Sequence, residues 1–540
     1  MEEFYPPLID KERCLAWSVD KAPCQAVCPL GMDVEGYITA AAQGDFQGAL
    51  GIMRETCALP AVCGRVCHRP CEKQCKRAEV DAPLAIRGLK RFIADYAHSG
   101  EDPPQALLRT KQERVAVVGS GPAGLAAAYD LIRLGYGVTI YEALPHAGGM
   151  LAFGIPEFDL PQEVIQREID YIRALGVEIK INTPIGENPS VACLLRGGFS
   201  AVLVGIGAQG SARLPIPGKE LEGVIYALPL LREARHGNGP RLEGKGLVIG
   251  GGNVAIDVAR TAIRLGAEEV SLACIESRET MPAFPEMIDL AEREGVKIWD
   301  SLAPQRILGL DGVKATAVEL QQVAHSERAS DGTVTWTLLK DPNALRTIEV
   351  DWIGVAIGQK VSMGGDLENL NISRRGTLTV DPEYSVTSAE GIYAAGDVVA
   401  VPSTVTEAMA AGRRAALAID RRLQGGAAPP FMYQPAKTGR DILPHGIEPT
   451  SCPVMPLRSA GESIRGFQEV ELGFSLEQAV AEAKRCLRCK TCLRCLEMTR
   501  CVAFVPVSNN GKQSPRIAGD LCEACGRCAR SCIYRNIYLT

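Results

Sequence analysis

The 540-residue chain lacks any apolar run long enough to span a bilayer, and no cleavable leader precedes its first cysteines. A membrane-spanning or exported protein is therefore not expected, and a cytoplasmic one is. It also lacks a basic excess: a net charge of −6 and a pI near 5.8 argue against a nucleic-acid binder. Its six histidines form no metal-spaced pair. Neither a Ser-His-Asp set nor paired carboxylates stand out, so hydrolytic and acid–base chemistries have no candidate residues.

What the chain has is cysteine. Of its twenty, eight lie in 14–75 and nine in 486–532, leaving only Cys193, Cys274 and Cys452 apart. Cys193 and Cys274 read as core thiols. A disulfide framework needs an oxidising compartment and usually a small domain, so metal ligation is the expected use of the two clusters. Cys522-x2-Cys525-x2-Cys528-x3-Cys532 matches the bacterial ferredoxin run, in which three cysteines hold one [4Fe–4S] cube and the fourth crosses to its neighbour; Ile533 replaces the usual proline. Structural zinc more often pairs two CxxC knuckles. The stretch KRCLRCKTCLRCLEMTRC (484–501) supplies the other half, with Cys501 as its crossing ligand. Its triplet is either Cys486/Cys489/Cys492 or Cys489/Cys492/Cys495. The second is favoured because it lies nearer Cys501, which makes Cys486 the spare among nine cysteines for eight positions.

Two units of strand, glycine turn and helix form an internal repeat: RVAVVGSGPAGLAAAYDLIRLG from Arg114 and KGLVIGGGNVAIDVARTAIRLG from Lys245. In the first, Gly119, Gly121, Ala123 and Gly124 allow a tight turn and close approach of a pyrophosphate to a helix N-terminus. Glu142, ending VTIYE, is placed to take ribose hydroxyls. The second has Gly250, Gly252, Asn253 and Val254, with Glu276 after its second strand. A carboxylate there hydrogen-bonds a free 2′-hydroxyl and repels a 2′-phosphate, so NAD is expected over NADP. Prolines from 429 to 456 deny helix or central strand, and Ser475 with Gln478 reads as a capping box.

EGIYAAGDVV, with Gly396 and Asp397, resembles the second FAD fingerprint of two-dinucleotide flavoprotein reductases. AVLVGIGAQ and WIGVAIGQ resemble that family's connectors between domains. The resemblance implies FAD at the first site, NAD(H) at the second, and a helix of about 404–422 aimed at the flavin. No Cys-x4-Cys pair follows the first glycine motif, so a flavin disulfide reductase is excluded and the electrons must pass elsewhere. Residues 15–425 resemble the glutamate synthase small-subunit family and the related dihydropyrimidine dehydrogenase. The resemblance is carried by APCQAVCP, CGRVCHRPCEKQC and GGMLAFGIPEFDLP (148–161, including Gly149 and Met150). It implies an N-terminal domain with [4Fe–4S] clusters, one held by Cys28, Cys67, Cys71 and Cys75. The other normally draws on a CxxC upstream of the APC segment, but Ala16 and Val19 occupy those spacings, and Lys90 stands where some relatives have a polar ligand. Cys14, Cys24, Cys57 and Cys63 remain for a rewired cluster.

The fold expected is an α/β two-dinucleotide-binding-domain flavoprotein with an N-terminal α-helical iron–sulfur domain and a C-terminal α+β bacterial-ferredoxin-like domain. In chain order it comprises a helical iron–sulfur domain (1–110), a first FAD-binding segment (111–240), an NAD-binding domain (241–358), a second FAD-binding segment (359–424), a Pro-rich linker (425–474) and a two-cluster ferredoxin-like domain (475–540). The combination resembles the NAD-linked electron-transfer subunit of an anaerobic 2-oxoacid:acceptor oxidoreductase complex of phenylglyoxylate or 2-oxoglutarate type. That implies thiamine-diphosphate subunits as partners. A stand-alone NADH:ferredoxin oxidoreductase and a glutamate synthase small subunit are the alternatives.

Overall fold

A computed structural model describes residues 8–9, 21–99, 104–186, 188–310, 312–329, 333–381, 385–400, 403–425, 447–489, 503–509, 512–518, 521–522, 528 and 537–538. The chain divides into two compact units. The first comprises Met1–Asp102, Phe431–Pro456 and Gly473–Thr540; the second comprises Pro103–Pro430 and Leu457–Leu472.

The second unit is built on two parallel sheets. Apolar runs such as VAVV and LVI are too continuous for a one-sided strand and are buried on both faces, as parallel sheets require. One sheet runs Ile392–Ala394, Ala201–Val204, Arg114–Val118, Gly137–Tyr141, Glu178–Lys180; the other runs Lys297–Trp299, Glu269–Ala273, Lys245–Ile249, Trp352–Val355, Val224–Tyr226. Two close approaches set the first sheet's packing. A Cβ on Gly124 would sit 2.0 Å from the Gly119 carbonyl, and one on Gly412 2.0 Å from that of Ala123. Only glycine lets helix Pro122–Arg133 start directly off its strand and lets helix Val405–Leu423 lie against it. An antiparallel layer of Leu302–Leu310, Lys314–Arg328, Val334–Leu338 and Leu345–Glu349 accompanies the second sheet. The two connectors continue into strands Gly210–Ser211 and Gln359–Lys360, which pair with each other.

Two boundaries differ from expectation. Val224–Tyr226 pairs with Trp352–Val355, so the second sheet already begins before residue 240. The stretch expected as a linker is structured over 447–474. Val470 packs with Phe158 and Leu290, and Ser459 caps a short helix, Ala460–Ser463. Its prolines keep 447–456 irregular, and the burial comes from residues beyond them, such as Val470.

In the first unit, helices Val34–Ala42 and Phe46–Arg54 are capped by Asp33 and Asp45. Helices Pro60–Val66 and Ile86–His98 follow, and Leu476–Lys484 begins with the expected Ser475/Gln478 capping box. Strand Phe504–Asn509 pairs antiparallel with Lys512–Ile517, and Leu8–Ile9 with Ile537–Tyr538. Cys14, Cys492, Cys495, Cys501, Cys525 and Cys532 lie outside the described residues.

Candidate cofactor cradles and cysteine groups

In the second unit both glycine turns end at the N-terminus of a twelve-residue helix, Pro122–Arg133 and Asn253–Arg264. No protein atom lies within 4 Å of a Cβ built on Gly121 or on Gly252. Each position has extended φ/ψ, so the missing side chain leaves space for a ligand rather than relieving strain. A pyrophosphate fits there, against orphan amides and the positive end of the helix dipole. Glu142 is buried at the end of Gly137–Tyr141. Its carboxylate accepts from the Ser120 amide at 3.0 Å and the Leu144 amide at 2.9 Å, and from the Ser120 hydroxyl. Ser120 carries no motif signal of its own in the sequence; it is the residue between the two glycines and orients that carboxylate. Gly149 has φ 54°, and a Cβ on it would meet the Gly121 Cα at 2.8 Å, which seats the Gly149–Met150 turn beside the first cradle. Asp397 follows Gly396 (φ 82°) and accepts from the Ser403 hydroxyl; burial pushes its pKa up.

At the second cradle Asn253 Oδ1 accepts from the Phe284 amide at 2.9 Å and fixes the loop that closes over the turn. Glu276 is buried and lies over Gly251, where a Cβ would come within 2.9 Å of its Oε2. Its Oε1 accepts from Arg328 at 2.8 Å. Arg328 comes from the antiparallel layer, and no sequence spacing relates it to Glu276. Arg278 is turned to Glu292 at 2.7 Å.

The structure sorts the first unit's cysteines differently from expectation. The family resemblance groups Cys75 with Cys28, Cys67 and Cys71, and leaves Cys24 with Cys14, Cys57 and Cys63. Instead Cys24 and Cys75 line one cavity together with Cys486 and Cys489. Burial, reinforced by the Cys486, Cys489 and Cys75 thiolates, pushes the Cys24 thiol up. Cys28, Cys63 and Cys71 all feel the charge of the buried Lys90, and Cys67 acts on each of them and on Lys90. Burial works against the Lys90 ammonium, but Cys67, Cys63, Tyr37 and Cys71 around it would, when ionised, outweigh burial and raise its pKa. Cys57 Sγ lies 3.8 Å from Cys63 Sγ. Among the described residues no three His, Cys, Asp or Glu side chains converge as ligands of one ion would. Thiolates on the separate irons of a cube do not need to converge in that way. Of the lone cysteines, Cys274 is buried as expected, whereas Cys193 is only half-buried beside Ser190 and Arg196.

Two parallel sheets with paired dinucleotide cradles, in a chain that also carries a cysteine-rich helical unit, define a flavoprotein oxidoreductase with iron–sulfur clusters. Residues 113–412 match the pyridine nucleotide-disulphide oxidoreductase family, and residues 8–101 match dihydropyrimidine dehydrogenase domain II, 4Fe-4S cluster. The chain is 38% identical over 511 residues to the NADP(+)-dependent formate dehydrogenase subunit beta of Moorella thermoacetica, covering 87% of this chain and 70% of that one. It is 36% identical over 515 residues to the NADPH-Fe(3+) oxidoreductase subunit beta of Geobacter sulfurreducens, covering 87% and 76%. To the NAD-dependent dihydropyrimidine dehydrogenase subunit PreT of Escherichia coli O157:H7 it is 35% identical over 426 residues, covering 78% and 96%. The chain belongs to this family of FAD- and NAD(P)-dependent iron–sulfur oxidoreductase subunits, related to the N-terminal region of dihydropyrimidine dehydrogenase.

Proposed function

We propose that this chain passes electrons between NAD(H) and a partner protein by way of FAD and [4Fe–4S] cubes, in the cytoplasm, with no organic substrate of its own. The observation that carries the reading is the presence, in one chain, of two dinucleotide cradles and two groups of gathered thiols. Nicotinamide exchanges electrons in pairs and a cube singly; FAD, when bound, supplies chemistry compatible with both. The chain's own residues bind and orient. The turns at Gly119–Gly121 and Gly250–Gly252 receive the pyrophosphates, and Glu142 and Glu276 take ribose hydroxyls. Cys28, Cys67 and Cys71 hold one cube with Cys63 as the fourth ligand, and the Lys90 ammonium offsets its negative charge.

NAD is the preferred nucleotide in this reading, because the Glu276 carboxylate covers the second cradle. A second reading, NADP(H), is favoured by Arg328, a cation 2.8 Å from that carboxylate. It is also favoured by the nucleotides named for the Moorella and Geobacter relatives. Comparing kcat/KM for NADH and NADPH separates the two. Glu276→Gln is expected to narrow an NADH preference at least tenfold by leaving Arg328 to meet a 2′-phosphate. A parent enzyme already favouring NADPH would refute the NAD reading.

The partner inferred is a subunit that performs the substrate chemistry, as a thiamine-diphosphate 2-oxoacid oxidoreductase would. The relatives' names as subunits support that division of labour. The ferredoxin-like run, with Cys522 and Cys528 among its ligands, would hold the cubes nearest that partner. The purified chain is expected to reduce viologen dyes with NADH under anaerobic conditions and to show no oxoacid activity. Oxoacid turnover by this chain alone would overturn the proposal.

A further inference from the structure

We propose that Cys486 and Cys489, together with Cys24 and Cys75, are the four ligands of one [4Fe–4S] cube in the first unit, so that the segment after residue 472 completes a cluster of the N-terminal domain. The inference rests on the proposal that this domain holds cubes, and it assigns a ligand set the sequence did not suggest. By spacing alone, Cys486 is the spare thiol and Cys489 belongs to the terminal module.

Three observations carry it. First, the four cysteines line one cavity whose remaining wall is largely apolar, with Ile38, Leu84, Ile86 and Leu487 among its residues. A cube held by four thiolates in an apolar shell is the ordinary form of such a site. Second, Cys486 is built as an acceptor. The Arg488 amide donates to its Sγ at 3.5 Å, and Arg488 adopts φ 53°. The same turn recurs at Cys67, where the Arg69 amide donates to Sγ at 3.5 Å and Arg69 has φ 58°. A non-glycine residue in the left-handed region is strained and persists where the surroundings require it. Here it turns a backbone N–H onto a sulfur, and such hydrogen bonds tune a cluster's potential.

Third, the Cys486–Cys489 segment is locked in place. The Glu482 side chain is fully buried and accepts from the Ala85 amide at 2.7 Å and from Arg485 at 2.7 and 2.8 Å. Arg485 also reaches Asp81 at 2.8 Å and the Ala82 carbonyl at 2.7 Å. Arg77 closes the network by pairing with Asp81 and donating to the Arg485 carbonyl at 3.4 Å. These charges come from positions about four hundred residues apart in sequence and hold the end of helix Leu476–Lys484, which leads directly into Cys486. With the pair committed here, seven of the nine terminal cysteines remain, one short of the eight that two all-cysteine cubes require.

Iron per FAD and low-temperature EPR of the dithionite-reduced full-length chain, purified anaerobically, test the assignment. Cys486→Ala/Cys489→Ala and Cys24→Ala/Cys75→Ala should each lose about four irons per FAD and the same EPR signal. The quadruple variant should lose no more than either pair. Because an alanine pair can unseat the segment, Cys486→Ser and Cys75→Ser, each able to keep an oxygen ligand, should shift one and the same signal. A loss of about eight irons in the quadruple variant, full iron in Cys486→Ala/Cys489→Ala, or serine variants that shift different signals would overturn the ligand set while leaving the electron-transfer reading intact. A parent chain carrying FAD but no iron would overturn both.

Discussion

Arg260 is the side chain on which the second unit's charge balance turns. It is fully buried in helix Asn253–Arg264 and binds both oxygens of Asp159 at 3.0 Å and both of Glu294 at 2.9 and 3.1 Å. Arg264 binds Glu294 as well, so Glu294 keeps a partner if Arg260 is lost, and Asp159 does not. Burial raises the Asp159 pKa, Arg260 opposes the rise, and the Glu294 and Glu471 carboxylates add to it. In Arg260→Met, Asp159 is expected to take a proton in the folded state. Neutralising at pH 7 a carboxyl that titrates near 3.9 when unfolded spans about 3 pH units. At about 1.4 kcal/mol per unit this costs roughly 4 kcal/mol, within the range measured when one partner of a buried ion pair is removed.

The sign follows from proton counts. The folded variant binds one proton more at this site than its unfolded chain, so its stability falls as pH rises. As pH rises above 6 the gap between parent and variant should widen, by at most about 1.4 kcal/mol per unit. Urea unfolding followed by flavin fluorescence, anaerobically and at several pH values, measures this gap. A gap below about 1 kcal/mol, or one that does not change with pH, would refute the reasoning.

Gly252→Val adds bulk only where a ligand would sit, because its backbone is extended and no protein atom lies within 4 Å of the new Cβ. Stability should change by no more than ~1 kcal/mol and FAD should stay bound, while KM for the nicotinamide nucleotide rises at least ~10-fold. An unchanged KM would remove the second cradle from the reaction. Arg485→Met leaves Glu482 and Asp81 without their shared cation and should destabilise the first unit by ~3 kcal/mol or more. Its thermal melt should lose the iron–sulfur absorbance several degrees earlier while flavin release is unchanged; coincident shifts would place the network's effect elsewhere.

The sequence by itself determined the elements whose physics is local. A strand, a glycine turn and an Ala-rich helix within twenty-odd residues specify a dinucleotide cradle, because the turn, the backbone approach and the helix N-terminus are consecutive in the chain. The Ser475/Gln478 box was legible for the same reason. The cysteine spacing raised the expectation of clusters at both ends but could not give their grouping. Spacing says which thiolates are neighbours along the chain, whereas a cube collects thiolates that are neighbours in space.

Only the tertiary structure places Cys24, Cys75, Cys486 and Cys489 around one cavity. That arrangement depends on Glu482 and Arg485 meeting Asp81 and Arg77 across about four hundred residues. Arg328 reached Glu276 by the same kind of long-range placement, from a sheet layer that no motif marks. Turns and caps are settled by adjacent residues, but a buried charge or a metal ligand takes whatever partner the fold delivers, and the chain's order does not record which one arrives.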